Sequence, residues 1–312
     1  MELSELFGKK LIVVTGKGGV GKSAVSLALS YLNSAHGRRP VYTTLEHVEK
    51  GSYFFGYKTG VNEKEQLLDD KISAVSIQPN TALRDYIHEH FVALYPVYAT
   101  ILKSKTLQTF FEAAPGLKEL ITIGKVWHLG NRGGKREYDQ VIFDAPSTGH
   151  AIPILNLPSK VLGMVRGGAL REHIEWVEGF LKDPGKTAVV VVAAPEDMVV
   201  RETIELIESV ESIGIKVLFT VVNNVYDSEF SKGEEEIIRG TGIPEDPGIR
   251  AVIETAMDQI GRSEISRKYM RKIRSVSGGR ALSVRRIFKN NLTKADLKHI
   301  SEEIEEQLTP DS

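Results

Sequence analysis

Short apolar runs alternate with amphipathic stretches along most of this chain. Runs of five to seven residues predict strands at 10–15, 41–45, 72–77, 139–143, 187–193 and 216–222. Such unbroken apolar runs are typical of strands that are buried on both faces of a sheet. The stretches between them carry apolar residues at helical spacing. The alternation of strand and helix therefore predicts an α/β fold with a doubly wound, mostly parallel sheet.

Two parts of the chain add to this simple alternation. Residues 281–288 predict a last strand, and a helix with a single apolar stripe is expected after Thr293. Three consecutive helices are predicted in the stretch from about residue 80 to about residue 135. We interpret that stretch as a helical insertion, and residues 1–312 as a single domain without repeats or low-complexity linkers.

The composition removes several kinds of chemistry. Lys and Arg number 40 and Asp and Glu number 41, so the net field is weak and no specific nucleic-acid partner is expected. The chain has no Cys, which excludes disulfides, thiolate metal sites and cysteine nucleophiles. The first residues are acidic where a signal peptide is basic, and no apolar run is long enough to cross a bilayer. We therefore expect a cytoplasmic location.

One glycine-rich segment carries the strongest chemical signal. Gly16-Lys17-Gly18-Gly19-Val20-Gly21-Lys22-Ser23 fits the Walker A pattern between a predicted strand and a predicted helix. Glycines let backbone N–H groups converge on phosphate oxygens, and the helix adds its positive end. We expect Lys22 to reach the β and γ phosphates of ATP, and Ser23 to ligate Mg²⁺. The expected contacts with ATP or ADP are Gly16, Lys17, Gly18, Gly19, Val20, Gly21, Lys22, Ser23 and Ala24.

Lys17 gives this loop a second lysine, and the loop resembles the deviant Walker A of one NTPase class. That class includes plasmid-partition and septum-site ATPases, the nitrogenase iron protein, and the arsenite-pump and tail-anchored-protein-targeting ATPases. The resemblance implies that Lys17 crosses a dimer interface to the partner's nucleotide and acts there as an arginine finger does. It thereby implies a homodimer, or a heterodimer with a paralogue.

A second motif favours one branch of that class. Asp144-Ala145-Pro146-Ser147-Thr148-Gly149-His150 resembles the signature, ending in Thr-Gly-His, of the arsenite-pump and tail-anchored-protein-targeting family. Within that family, the sequence most resembles the bacterial anion-transporting ATPase-like members. The resemblance implies that Asp144 holds a water of the Mg²⁺ shell and that Gly149 meets the γ-phosphate through its backbone. It also implies that Asn223 reads the adenine edge, with Asn224 as the alternative.

Two features depart from that family. The family usually carries Ser-Thr-Asp-Pro-Ala-His after its second strand, where this chain has Thr43-Thr44-Leu45-Glu46-His47. Glu46 is our candidate for the catalytic carboxylate that positions water, and the alternative is an ordinary loop acid. In that second case, hydrolysis is very slow or depends on a partner. The chain also lacks the Cys residues that bind metalloid in one branch and zinc in another.

The resemblance implies a Mg²⁺-dependent ATPase whose dimer opens and closes with nucleotide state and carries or senses a client. Apolar residues of the insertion, such as Leu83, Ile87 and Phe91, would line a groove for a hydrophobic protein client or simply pack together. The basic stretch 262–289 would be a solvated face, or would meet a membrane protein or the inner face of a membrane. Two alternatives stay open: a partition- or septum-site-like positioning ATPase, and a low-turnover nucleotide-binding scaffold paired with a catalytic paralogue.

Overall fold

The computed structural model describes most of the chain, namely residues 2–45, 54–55, 65–69, 71–90, 116–131, 138–242 and 244–309. Its strands are β1 (Leu11–Gly16), β2 (Pro40–Leu45), β3 (Gln66–Asp69), β4 (Ile72–Ile77), β5 (Gln140–Asp144), β6 (Thr187–Ala193), β7 (Val217–Val225) and β8 (Ala281–Arg285). Its helices are α1 (Leu3–Gly8), α2 (Lys22–Ala35), α3 (Pro79–His90), α4 (Leu117–Asn131), α5 (Thr148–Leu162), α6 (Ala169–Lys182), α7 (Asp197–Ser212), α8 (Lys232–Gly240), α9 (Pro247–Val276) and α10 (Lys294–Leu308).

The eight strands form one sheet in the order β3-β4-β2-β5-β1-β6-β7-β8. The pairings are parallel except that between β3 and β4, which is antiparallel. Strands β2 to β5 lie on one side of the central strand β1, and strands β6 to β8 lie on its other side. This arrangement confirms the predicted doubly wound α/β fold. Because the carboxyl ends of parallel strands share one edge, the loops after β1 and β5 meet there.

Alternation along β1 divides the core between the two faces of the sheet. Ile12 and Val14 belong to one buried cluster, and Leu11 and Val13 belong to the other. Successive side chains of a strand point to opposite faces, so an all-apolar strand needs helices on both sides. The first cluster is covered by α2, α9 and α10, and the second by α4, α5 and α6.

Three elements differ from the pattern-based predictions. The short edge strand β3 was not predicted, since its four residues make no apolar run and Leu67 is 47% exposed. The last strand ends at Arg285 and does not reach residue 288. In the basic stretch, the helix ends at Val276, and its apolar residues do not share one environment. Ile273 is buried, whereas Ile265 is 50% exposed.

The described part of the predicted insertion contains two helices, α3 and α4, which pack on each other. Residues 91–115 and 132–137 lie outside the described residues, as does Phe91 from the predicted groove. The third helix of the insertion and the assignment of residues 1–312 to one domain therefore stay predictions.

The packing of α10 on the sheet gives a test of the fold. Ile304 is fully buried, so Ile304→Ala should destabilise the protein by roughly 2–5 kcal/mol through lost transfer energy and a cavity. Glu306→Ala, on the exposed side of the same helix, should change stability by less than about 0.5 kcal/mol. Urea unfolding of the two variants measures both values, and equal effects would contradict the assigned packing of α10.

Candidate functional site

The loop between β1 and α2 requires a glycine at each of its two ends. Gly21 caps α2 with φ of 95°, a left-handed conformation that side chains disfavour. At Gly16, an added Cβ would lie 2.1 Å from the carbonyl oxygen of Val192 on β6. The sequence therefore closes the loop tightly against the neighbouring strand. The backbone N–H groups of the loop and the N-terminus of α2 lie next to each other, and such an arrangement binds phosphate.

Asn223 braces this loop from β7. Its Nδ2 donates a hydrogen bond of 2.9 Å to the carbonyl oxygen of Val20, and the residue is only 7% exposed. An added Cβ at Gly21 would lie 2.2 Å from the same nitrogen. Asn224, the alternative, has φ of 59° at the end of the strand. One donor of Asn223 thus serves the loop itself, and its role toward adenine stays a prediction.

Lys22 points back into the loop that precedes it. Its Nζ donates to the carbonyl oxygen of Lys17 over 3.1 Å. Burial lowers the pKa of Lys22, and the nearby carboxylate of Asp144 opposes that shift. A partly desolvated ammonium group under a glycine loop is a strong partner for phosphate, because few waters have to be displaced from it.

Asp144 receives two hydroxyl donors on one oxygen. Ser23 Oγ donates to Asp144 Oδ2 over 2.6 Å, and Tyr42 Oη donates to the same oxygen over 2.8 Å. Burial raises the pKa of Asp144, although both hydroxyls and Lys22 favour its charged form. Burial and the adjacent Asp144 also raise the pKa of Tyr42 well above its usual value. Asp144 is therefore an oriented carboxylate in a dry environment.

The donor set formed by Ser23 and Asp144 fits Mg²⁺. A hydroxyl has one hydrogen and two lone pairs, so Ser23 can donate to Asp144 and still offer a lone pair to a cation. Mg²⁺ prefers hard oxygen ligands, and in nucleotide sites it takes few from the protein and the others from phosphates and water. The two predicted metal residues are thus together in space, and their binding of metal stays a prediction.

The segment after β5 runs beside the phosphate loop. The Ala145 amide donates to the Val14 carbonyl oxygen over 2.9 Å, and Thr15 Oγ1 donates to the Pro146 carbonyl oxygen over 3.1 Å. Helix α5 then begins at Thr148, so Gly149 lies in its first turn, where amide groups lack partners within the helix. An added Cβ at Gly149 would meet nothing within 4 Å. That turn accordingly has room beside it for a ligand.

The two remaining predicted catalytic residues have different outcomes. Glu46 lies outside the described residues, so its candidate role is untested. Lys17 lies in the loop as predicted, and its ammonium group is paired within its own chain. Lys17 Nζ is 2.7 Å from Glu202 Oε1 on α7. The predicted contact of Lys17 with a second subunit stays a prediction.

Two residues at this site escaped sequence-based reasoning, namely Tyr42 and Glu202. A tyrosine in a strand buried on both faces needs a partner for its hydroxyl, and this was an available signal for Tyr42. No local signal marks Glu202, because 185 residues separate it from Lys17.

An apolar cavity of about 160 Å³ lies between α3, α4 and α6. Leu83, Leu120, Trp127, Leu170 and Ile174 are among the residues that line it. Lys125 and Asp85, which also line it, form an ion pair of 2.7 Å. Leu170 is 53% exposed, so the cavity communicates with the surface at α6. No helix in the described ranges is long and apolar enough to cross a membrane.

Fold and site together define a P-loop nucleotide-binding protein: a glycine loop after the central strand, and a carboxylate at the end of the adjacent one. The family model of the anion-transporting ATPases matches residues 9–167 and 168–237, and the chain belongs to that family. The match confirms the resemblance noted from the loop and from the motif after β5.

Among similar proteins are ATPase BagA of Mycobacterium tuberculosis and two proteins named ATPase GET3. BagA is 26% identical over 227 residues, which cover 70% of this chain and 66% of that protein. GET3 of Kluyveromyces lactis is 25% identical over 259 residues, which cover 72% of this chain and 74% of that protein. GET3 of Zygosaccharomyces rouxii is 28% identical over 255 residues, which cover 69% of this chain and 72% of that protein. The chain thus spans slightly less than two thirds of its mycobacterial relative.

The raised pKa of Asp144 predicts a pH-dependent cost of its burial. The folded pKa of this carboxyl lies above its unfolded value of about 3.8. The protein therefore loses stability as the pH rises from the unfolded pKa to the folded pKa. Asp144→Asn keeps an oxygen that accepts from Ser23 and Tyr42 but carries no charge. Without nucleotide, we expect this variant to gain melting temperature over wild type near pH 7 and to gain less near pH 4. A gain that is larger at the acidic pH would contradict this electrostatic account.

Proposed function

We propose that the chain binds ATP with Mg²⁺ at the loop 16–24 and hydrolyses it, coupling nucleotide state to dimer closure and to binding of a client. The 2.6 Å contact between Ser23 and Asp144, beside the partly desolvated ammonium group of Lys22, carries the proposal. It joins a phosphate-binding loop to a carboxylate from a neighbouring strand. Membership of a family of ATPases supports the same conclusion.

Each residue has a definite task in this mechanism. Backbone amides of the glycine loop and the N-terminus of α2 bind the phosphates, and Lys22 turns from the Lys17 carbonyl to the β and γ oxygens. Ser23 would ligate Mg²⁺ directly, and Asp144 would hold one of its waters. The bound ion would neutralise charge on the phosphates. Glu46 would orient the attacking water, and Gly149 would contact the γ-phosphate.

The replacement around Glu46 favours one rival function. The family's usual Asp in this segment is absent, and the candidate substitute has a side chain one methylene longer, which changes where its carboxylate would hold the water. The rival is a nucleotide-binding scaffold of very low turnover that works with a catalytic paralogue. Tight ATP binding without measurable phosphate release would favour it over the hydrolysing enzyme.

The client part of the proposal is supported by the apolar cavity between α3, α4 and α6. Two of these helices, α3 and α4, belong to the insertion that contains the predicted groove, and the resemblance to tail-anchored-protein-targeting ATPases implies an apolar segment as the occupant of that groove. The exposed residues of α9 include Lys268, Arg271 and Lys272, which fit the acidic surface of a membrane or of a protein partner. The expected site of action remains the cytoplasm, including the inner face of its membrane.

Removal of Lys22 tests nucleotide binding. Lys22→Ala should abolish measurable ATP binding, because each lost charge-assisted contact is worth about 1.5–3 kcal/mol. Isothermal titration of ATP with Mg²⁺ provides the affinity. Lys10→Ala, an exposed lysine at the opposite end of β1, is the matched control and should bind as wild type does. Undiminished affinity in Lys22→Ala would refute the assigned site.

Removal of Lys17 tests the composite dimer site. Lys17→Ala should keep ATP binding and lose hydrolysis by about 10³-fold or more, as expected for a finger in trans. When it is mixed with Glu46→Gln, part of the activity should return, because one site of the heterodimer then receives both intact residues. Phosphate release by the mixture is the measurement. Heterodimers that form and stay inactive would argue against a shared site.

A further inference from the structure

Lys17 already has an anionic partner inside its own chain. The 2.7 Å contact joins the ammonium group of Lys17 to the carboxylate of Glu202, which lies in the second turn of α7. Their side chains are 32% and 37% exposed, respectively. The contact therefore ties the tip of the phosphate loop to a helix that is distant in sequence, at a place that water and ligands can reach.

The topology explains why α7 stands beside the loop. Gly16, the last residue of β1, pairs with Val192 of β6, and α7 begins shortly after β6 ends. The nearby carboxylate of Asp197 has other partners. Asp197 accepts from Arg201 over 3.1 Å and from the Tyr269 hydroxyl over 3.2 Å. Glu202 is the carboxylate of α7 that contacts the loop lysine.

We propose that Glu202 is the resting partner of Lys17, a latch that holds the lysine in cis and yields it to phosphate when two nucleotide-bound subunits close. This inference rests on the proposed function, since it assumes that Lys17 acts across the dimer. Glu202 and a phosphate compete for the same ammonium group, because each anion attracts this single compact charge toward its own oxygens. A stronger Lys17–Glu202 ion pair therefore makes the transfer of Lys17 to the phosphates of the other subunit less favourable.

The phosphate site of the same subunit reaches this latch through Lys22. Lys22 Nζ donates to the carbonyl oxygen of Lys17, so the backbone of Lys17 is held by the lysine that serves the subunit's own nucleotide. Phosphates that draw Lys22 away remove this hold. Binding in cis then loosens the residue that acts in trans, which would favour closure of subunits that are both loaded.

The strength of the latch sets the size of the expected effects. Exposed and half-exposed ion pairs contribute up to about 1 kcal/mol, which corresponds to roughly a fivefold change in an equilibrium constant. The pair is therefore strong enough to bias Lys17 and weak enough for phosphates to displace. We expect changes of about twofold to fivefold after its removal.

The resting pair can be tested without nucleotide. Glu202→Gln keeps the size and polarity of the side chain and removes its charge. Acetylation of Lys17 by an amine-reactive ester, followed by mass spectrometry, should become about twofold to fivefold faster in this variant. Glu205→Gln, an exposed glutamate one turn further along α7, removes the same charge and should leave the rate unchanged. Equal rates in wild type and Glu202→Gln would overturn the latch.

Release to a partner is tested by assembly. With Mg²⁺ and a non-hydrolysable ATP analogue, Glu202→Gln should dimerise at a roughly twofold to fivefold lower protein concentration than wild type, as measured by sedimentation. Affinity for the analogue at low protein concentration should not change. In a Lys17→Ala background, the same substitution should have no effect on assembly, because the residue that it frees is gone.

The outcomes separate this inference from the function on which it rests. If Lys17→Ala and wild type hydrolyse ATP equally, the trans role of Lys17 fails. If Lys17→Ala loses hydrolysis and Glu202→Gln assembles as wild type or less readily, the trans role stands and the latch is overturned. Weaker assembly would mean that Glu202 positions Lys17 for the partner rather than withholding it.

Discussion

A single buried carboxylate connects the elements on which the site depends. Asp144 ends β5 and accepts from Ser23 at the start of α2 and from Tyr42 in β2, so one oxygen joins three elements around the central strand. Its burial raises its pKa, so the charged form of Asp144 is less favourable in the folded chain than in water. Carboxylates whose pKa is shifted by burial cluster at functional sites.

The glycine loop and the carboxylate depend on the same sheet geometry. Parallel pairing aligns Val14 with Asp144, so the loop after β1 and the carboxylate after β5 reach the same edge. Contact with Val192 and bracing by Asn223 then leave the loop little freedom. A preorganised cradle loses less entropy when phosphate binds, which is how the fold serves nucleotide binding.

Much of this could be predicted from patterns within short windows. Seven of the eight strands in the described residues were predicted from apolar runs, and the phosphate loop and Asp144 were predicted from local motifs. The edge strand β3 escaped prediction because its four residues contain only two apolar positions, of which Leu67 is half exposed. The partners of Asp144 and Lys17 depend on strand register and on a helix 185 residues away, which no local window contains. Side-chain pairs across a fold follow from its topology, and the motif alone does not determine them.

The central claim is that Ser23 and Asp144 form the metal-binding half of a nucleotide site. It is tested most directly by the affinity of a non-hydrolysable ATP analogue, measured with and without Mg²⁺, in wild type and in Ser23→Ala. The account predicts that Mg²⁺ strengthens binding to wild type and that most of this increment is lost in Ser23→Ala, while binding without Mg²⁺ remains. An equal increment in both proteins would contradict the claim.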